Sequence, residues 1–170
     1  MMKTLVTTTA VVLAGLAAPA TNGTAAAQGS GPCALITTDD VQPLAYKASV
    51  SSGVSTSVDA VGFSSCRYSW GDGVNRFNLD LSVNDASRVF SAMSPDVIKQ
   101  RLNASVSTGT ADAVIADVGD AAVFKADSDL SVHAAALVKG RILLVRLDGF
   151  IAREKKDQVI ALLKSAASRL

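Results

Sequence analysis

Few side chains in this sequence have chemistry to offer. His133 is the one histidine, and it sits in the run SVHAAALVKGRILLVRL (131–147). Histidine is the side chain best suited to act as a base near neutral pH. A base needs a nucleophile or an orienting carboxylate within reach. No Gly-x-Ser-x-Gly elbow, His-Glu-x-x-His pair or phosphate-cradling glycine loop is present. His133 therefore reads as a strand residue, and an enzyme with an unfamiliar site near His133 and Arg146 stands only as the alternative. Metal ligation fares no better, because two distant cysteines and one histidine are too few. Asp127 and Asp129 read as a turn, lacking the glycine and glutamate of a calcium loop. Asp117 and Asp120 flank Val118-Gly119, where a glycine at positive φ is explanation enough. No catalytic residue, metal or cofactor is expected.

The two cysteines, Cys33 and Cys66, are better placed in a disulfide. The chain opens with a short positive stretch, Met1-Met2-Lys3, and an apolar run from Leu5 to Ala18. A helix of about 14 residues is too short to span a bilayer, so the pattern is that of a secretory leader. Small-x-small sites end at Ala20 and Ala27, and the second is favoured. The expectation is a leader over 1–27 and one domain over 28–170, flexible at 28–32. Pro32 before Cys33 argues against a lipidated terminus, hence against a stable membrane anchor after cleavage. An even cysteine count in an exported chain reads as a structural bridge. The expected location is secreted or periplasmic, in the cell envelope.

Charge excludes one class of partner. The chain carries 16 basic and 15 acidic side chains, and losing Lys3 with the leader balances them. Such a chain has no electrostatic footprint for nucleic acid or an anionic membrane. Arg153, Lys155, Lys156 and Lys164 share a predicted helix, but Glu154 and Asp157 are interleaved.

The elements follow from periodicity. Thr37 or Thr38 caps a helix with Asp39 and Asp40 in its first turn, and Pro43 should end or kink it early. Residues 47–62 read as a loop with one weak edge strand. Cys66, Tyr68 and Trp70 alternate with polar residues, as do Phe77, Leu79, Leu81 and Val83, with Gly71-Asp72-Gly73 between. Pairing Trp70 with Phe77 sets Tyr68 against Leu79 and Cys66 against Leu81, all on one face. Asn84 or Asp85 caps a helix with Val89, Phe90 and Met93 inward, and Ser94-Pro95 restarts it through Ile98 and Leu102. Three strands follow, turned at 127–129 and at Lys139-Gly140. A helix with Val159, Leu162, Leu163, Ala166 and Leu170 on one side ends the chain. The fold class is α+β: an antiparallel sheet of hairpins packed on one face by about three helices.

The Lys139-Gly140 turn fixes which side chains share a face. Val132, Ala134, Ala136, Val138, Leu143, Val145 and Leu147 form the apolar one. His133, Leu137, Ile142, Leu144 and Arg146 fall on the other, with His133 opposite Arg146. Leu137, Ile142 and Leu144 form either an exposed contact patch or the seat of a helix. As a patch, they would bind a partner protein or a small apolar ligand. That is the first functional expectation: a non-enzymatic binding domain. A structural envelope component is a further alternative.

The segments PCALITTDDV (32–41), CRYSW (66–70), DVGDAAVF (117–124) and LVKGRILLVRL (137–147) resemble, in that order, the DUF3558-like family of exported bacterial proteins. The resemblance implies an α+β sheet fold and an envelope or secreted location. It implies no established activity. The chain departs from that pattern in lacking a lipobox.

Overall fold

The computed structural model describes residues 31–90 and 93–170. The expected leader and its expected cleavage sites lie outside those residues. Two meanders make one sheet. The first holds β1 (Val54–Val58), β2 (Phe63–Gly71) and β3 (Arg76–Asp85); the second holds β4 (Ala113–Val114), β5 (Ala121–Ser128), β6 (Ser131–Val138) and β7 (Arg141–Asp148). Their order is β1-β2-β3-β7-β6-β5-β4, with every neighbouring pair antiparallel. The fold is α+β, as the pattern predicts.

Both expected registers are present. Trp70 faces Phe77, Tyr68 faces Leu79 and Cys66 faces Leu81; Val138 faces Arg141 and Val132 faces Leu147. The cause is the two-residue period: a slip of one residue would turn every apolar side chain toward water. β5 runs on to Ser128 through an irregularity between Ala126 and Ser128, so the turn falls at Asp129-Leu130 rather than at 127–129.

Two helices cover the inner face. α1 (Thr38–Ala45) is capped by Thr37, whose hydroxyl accepts from the Asp40 amide at 3.3 Å while the Asp40 carboxylate accepts from the Thr37 amide at 2.7 Å. Pro43 lies inside this helix, which continues to Ala45 before the chain turns at Tyr46. α4 (Lys156–Arg169) lays Val159, Leu162, Leu163 and Ala166 against β6 and β7. Each such side chain withdrawn from water is worth about 1.5–3 kcal/mol before chain entropy is set against it. Arg169 reaches back to α1, donating to both oxygens of Asp40 at 2.5 and 3.0 Å. That guanidinium, helped by Thr37, draws the Asp40 acid down to about 2 against partial burial.

The third long helix, expected on the same face as the other two, lies on the opposite one, because Leu137 and Ile142 give that face an apolar seat of its own. α2 (Ala86–Val89), capped by Asp85, is one turn long; α3 (Pro95–Ala104), capped by Ser94, follows it. Ala86 and Ile98 pack with Leu137 on the outer face, joined by Phe90, Met93, Leu102 and Ile142. Val89, expected inward, is exposed because α2 ends before completing a second turn.

Cys33 and Cys66 are bonded, their Cα atoms 5.1 Å apart. Both are buried beside Tyr68, whose hydroxyl donates to the Ile36 carbonyl. Burial raises the Tyr68 acid. Among the described residues, no helix is long and apolar enough to cross a membrane.

Candidate functional site

The five residues singled out on the outer face divide into two groups. Leu137 is 1% exposed beneath Ile98, and Ile142 is half-buried in the same cluster. They seat α2 and α3, whose own apolar side needs a partner, and are no open contact patch. Leu144 stays half-buried between Ser82 and Ala135. The patch expected at Leu137, Ile142 and Leu144 is therefore corrected to a helix seat with one partly open neighbour.

His133 and Arg146 belong to a charged row that runs across the strands as Arg67, Asp80, Arg146, His133 and Lys125. His133 lies opposite Arg146 as expected, but each takes its own carboxylate. Arg146 Nε donates to Asp148 at 2.9 and 3.0 Å, and His133 Nδ1 lies 2.9 Å from Asp127 Oδ2. Arg67 grips Asp80 with two contacts, at 2.7 and 3.2 Å. Asp127 is thus the orienting acid that sequence reasoning assigned to a turn. A base so oriented still needs a nucleophile. Ser131, two residues along the same face, has a buried hydroxyl without a hydrogen-bond partner, so it does not engage the imidazole. In this row Arg67 and Arg146 are each paired with a carboxylate and His133 is hydrogen-bonded to one, on a half-open face.

A cleft of about 490 Å³ opens at one end of the sheet. Three segments meet there: the end of α1 with residues 44–48, the β2–β3 hairpin, and the stretch after β7 that carries Ile151 and Lys155. Its floor is Leu147 with the Trp70 and Phe77 rings, which stack at 5.5 Å and 6°. Gly149 packs against the Phe77 ring of that stack. A Cβ there would stand 2.3 Å from a Phe77 ring carbon, so the backbone rests directly on the ring.

The hairpin rim is fixed by Asp72, whose carboxylate accepts from the amides of Asn75 at 2.7 Å and Val74 at 3.0 Å. Those bonds, Asn75's first, hold its acid below the usual range. The opposite rims carry two residues in unfavourable backbone conformations. Tyr46 has φ 55° and ψ −103°; Ile151 has φ 55° and ψ 29°. Such positions cost about 1–3 kcal/mol each and persist where the surroundings impose them, often at ligand clamps. Tyr46 is 79% exposed, with the Lys47 ammonium 5.3 Å from its ring centre. Phe150 and Leu130, also exposed, border a shallower hollow that shares Ile151.

The cleft offers surfaces suited to recognition. A cleft of this size, with aromatic and aliphatic walls, matches the volume and lining of small-molecule sites. Lys47 and Lys155 at the rim suit an anionic end on an otherwise apolar ligand. Sequence reasoning paired Trp70 with Phe77 but missed the cleft, since its walls come from segments with no period. Compared with protein families, curated proteins and solved structures, the chain matches none.

Proposed function

We propose that this chain is an exported, non-enzymatic binding domain whose cleft takes a small amphipathic ligand: an apolar or planar body against Trp70, Phe77, Leu147 and Ile151, and an anionic end at Lys47 and Lys155. The observation that carries this reading is the stacked floor between two strained rims. Strain at Tyr46 and Ile151 stabilises nothing by itself, and its position on both sides of one cleft has a reason if the cleft is used. The disulfide favours an oxidising compartment, secreted or periplasmic, and the DUF3558-like resemblance belongs to the same reading. Insertion of an apolar side chain from a partner protein would use the same walls.

Trp70 is the sole tryptophan, so its fluorescence reports on the cleft floor. The test titrates the purified protein with dodecanoate and, separately, with dodecanol. Saturable change with dodecanoate, weaker with dodecanol, is expected. Ile151→Asp should abolish it, and Arg146→Ala, on the outer face, should leave it intact. No saturable response from either probe, or equal loss in both variants, would count against the cleft.

A further inference from the structure

The two edges of the sheet are built differently. At the β4 side the edge is blunted. β4 is two residues long, and beyond it β5 presents Lys125 and Asp127, an irregularity between Ala126 and Ser128, and an Ala126 amide already donating to the Asp112 carboxylate at 2.6 Å. Charges, short strands and bulges are the usual means by which a sheet edge avoids pairing with another chain.

β1, at the opposite edge, has none of these. Its sequence is VSTSV, without charge, proline or bulge, and all five residues are exposed. Val54 and Val58 are among the exposed large apolar side chains, joined just beyond the strand by Val61. The strand is also held in place: Gly53 lies against Cys66 Sγ and the Tyr68 ring, and Ser55 pairs with the disulfide-bonded Cys66. Alternate residues of β1 turn their amide and carbonyl groups away from β2, and nothing among the described residues pairs with them.

The order of residues says what fits this edge. Val54-Ser55-Thr56-Ser57-Val58 reads the same in both directions. Two antiparallel copies centred on Thr56 set valine against valine, serine against serine and threonine against threonine. Like pairs of this kind are favourable across strands. A two-fold contact needs such a self-complementary surface. We propose that β1 pairs with β1 of a second copy of this chain, giving one continuous sheet across a two-fold axis at Thr56. Five residues a side is a small interface, so the association is weak and reversible. The blunted β4 edge stops growth at two copies.

Sedimentation velocity on the purified chain from about 10 µM to about 1 mM tests this. A concentration-dependent dimer is expected, and Thr56→Lys, which sets two ammonium groups face to face, should weaken it at least about tenfold. As a second readout, Thr56→Cys should oxidise to a covalent dimer. Val74→Cys, at a hairpin tip that is 90% exposed, should not. A monomer throughout the range overturns the proposal. So does a dimer indifferent to Thr56→Lys, or one cross-linked equally well from Val74→Cys. Ligand binding in the cleft is read separately through Trp70, so either idea can fail alone.

Discussion

Replacing both cysteines with alanine tests the load on the disulfide. Cys33 and Cys66 stand 33 residues apart, and closing a loop of that size in the unfolded chain is worth about 3.7 kcal/mol on the chain-entropy account. Both side chains are buried, so the lost sulfurs also leave small voids, and that penalty acts in the same direction. A marginally stable domain has only about 5–15 kcal/mol to lose. Urea unfolding followed by Trp70 fluorescence gives the answer. With a slope of about 2 kcal/mol per molar, the midpoint should fall by about 2 M. A midpoint within about 0.5 M of the parent would refute the reasoning. It would mean that the unfolded chain is no freer without the bond, and it would remove the physical case for an oxidising compartment.

Four further outcomes are expected. Gly119→Ala should destabilise by more than about 2 kcal/mol in the same assay, since φ is +55° and the new Cβ would stand 2.2 Å from the Leu137 carbonyl oxygen. Gly73→Ala, at φ +91° with open space around it, should cost only about 1 kcal/mol. Tyr46→Gly should raise stability by about 1 kcal/mol, because little burial is lost and the strained backbone relaxes, while dodecanoate binding weakens. Arg169→Ala should cost about 1 kcal/mol at pH 7, allowing for the solvent that reaches the pair. Because the Asp40 acid is lowered from 3.8 to about 2, that stabilisation is present above about pH 4 and is lost as pH falls through 2. Parent and variant should therefore converge in urea melts near pH 2.

What could be read from the sequence, and what could not, follows from the range of the forces involved. Alternation over 66–70 and 77–83 fixed a register because a buried face penalises any slip. Lys139-Gly140 did the same for the second hairpin, and the capping residues Thr37, Asp85 and Ser94 marked helix starts by local hydrogen bonding. The two cysteines had only each other. The outer face was harder. Alternation places Leu137 and Ile142 there but is silent on what covers them. The apolar side of α3, with Ile98 and Leu102, was the available signal that a seat was needed. Asp127 was assigned to a turn because strand irregularities leave no trace in periodicity, which hid its pairing with His133. The cleft was out of reach: residues near 46, 72 and 151 meet only once the whole sheet is assembled.

The strand order has a kinetic consequence. Most sheet contacts lie within hairpins, where partners are near in the chain and loop closure costs little. The exception is the seam between β3 and β7, which joins residues as distant as Leu79 and Leu147. Within the sheet, contact order is concentrated in that one line, so each meander can form early and their zipping together limits assembly of the sheet. Until then β3 offers an apolar row of Leu79, Leu81 and Val83 beside an unpaired backbone. The interior of the finished sheet is thus the most adhesive surface of the unfinished one, and crowding of newly made chains should act there first.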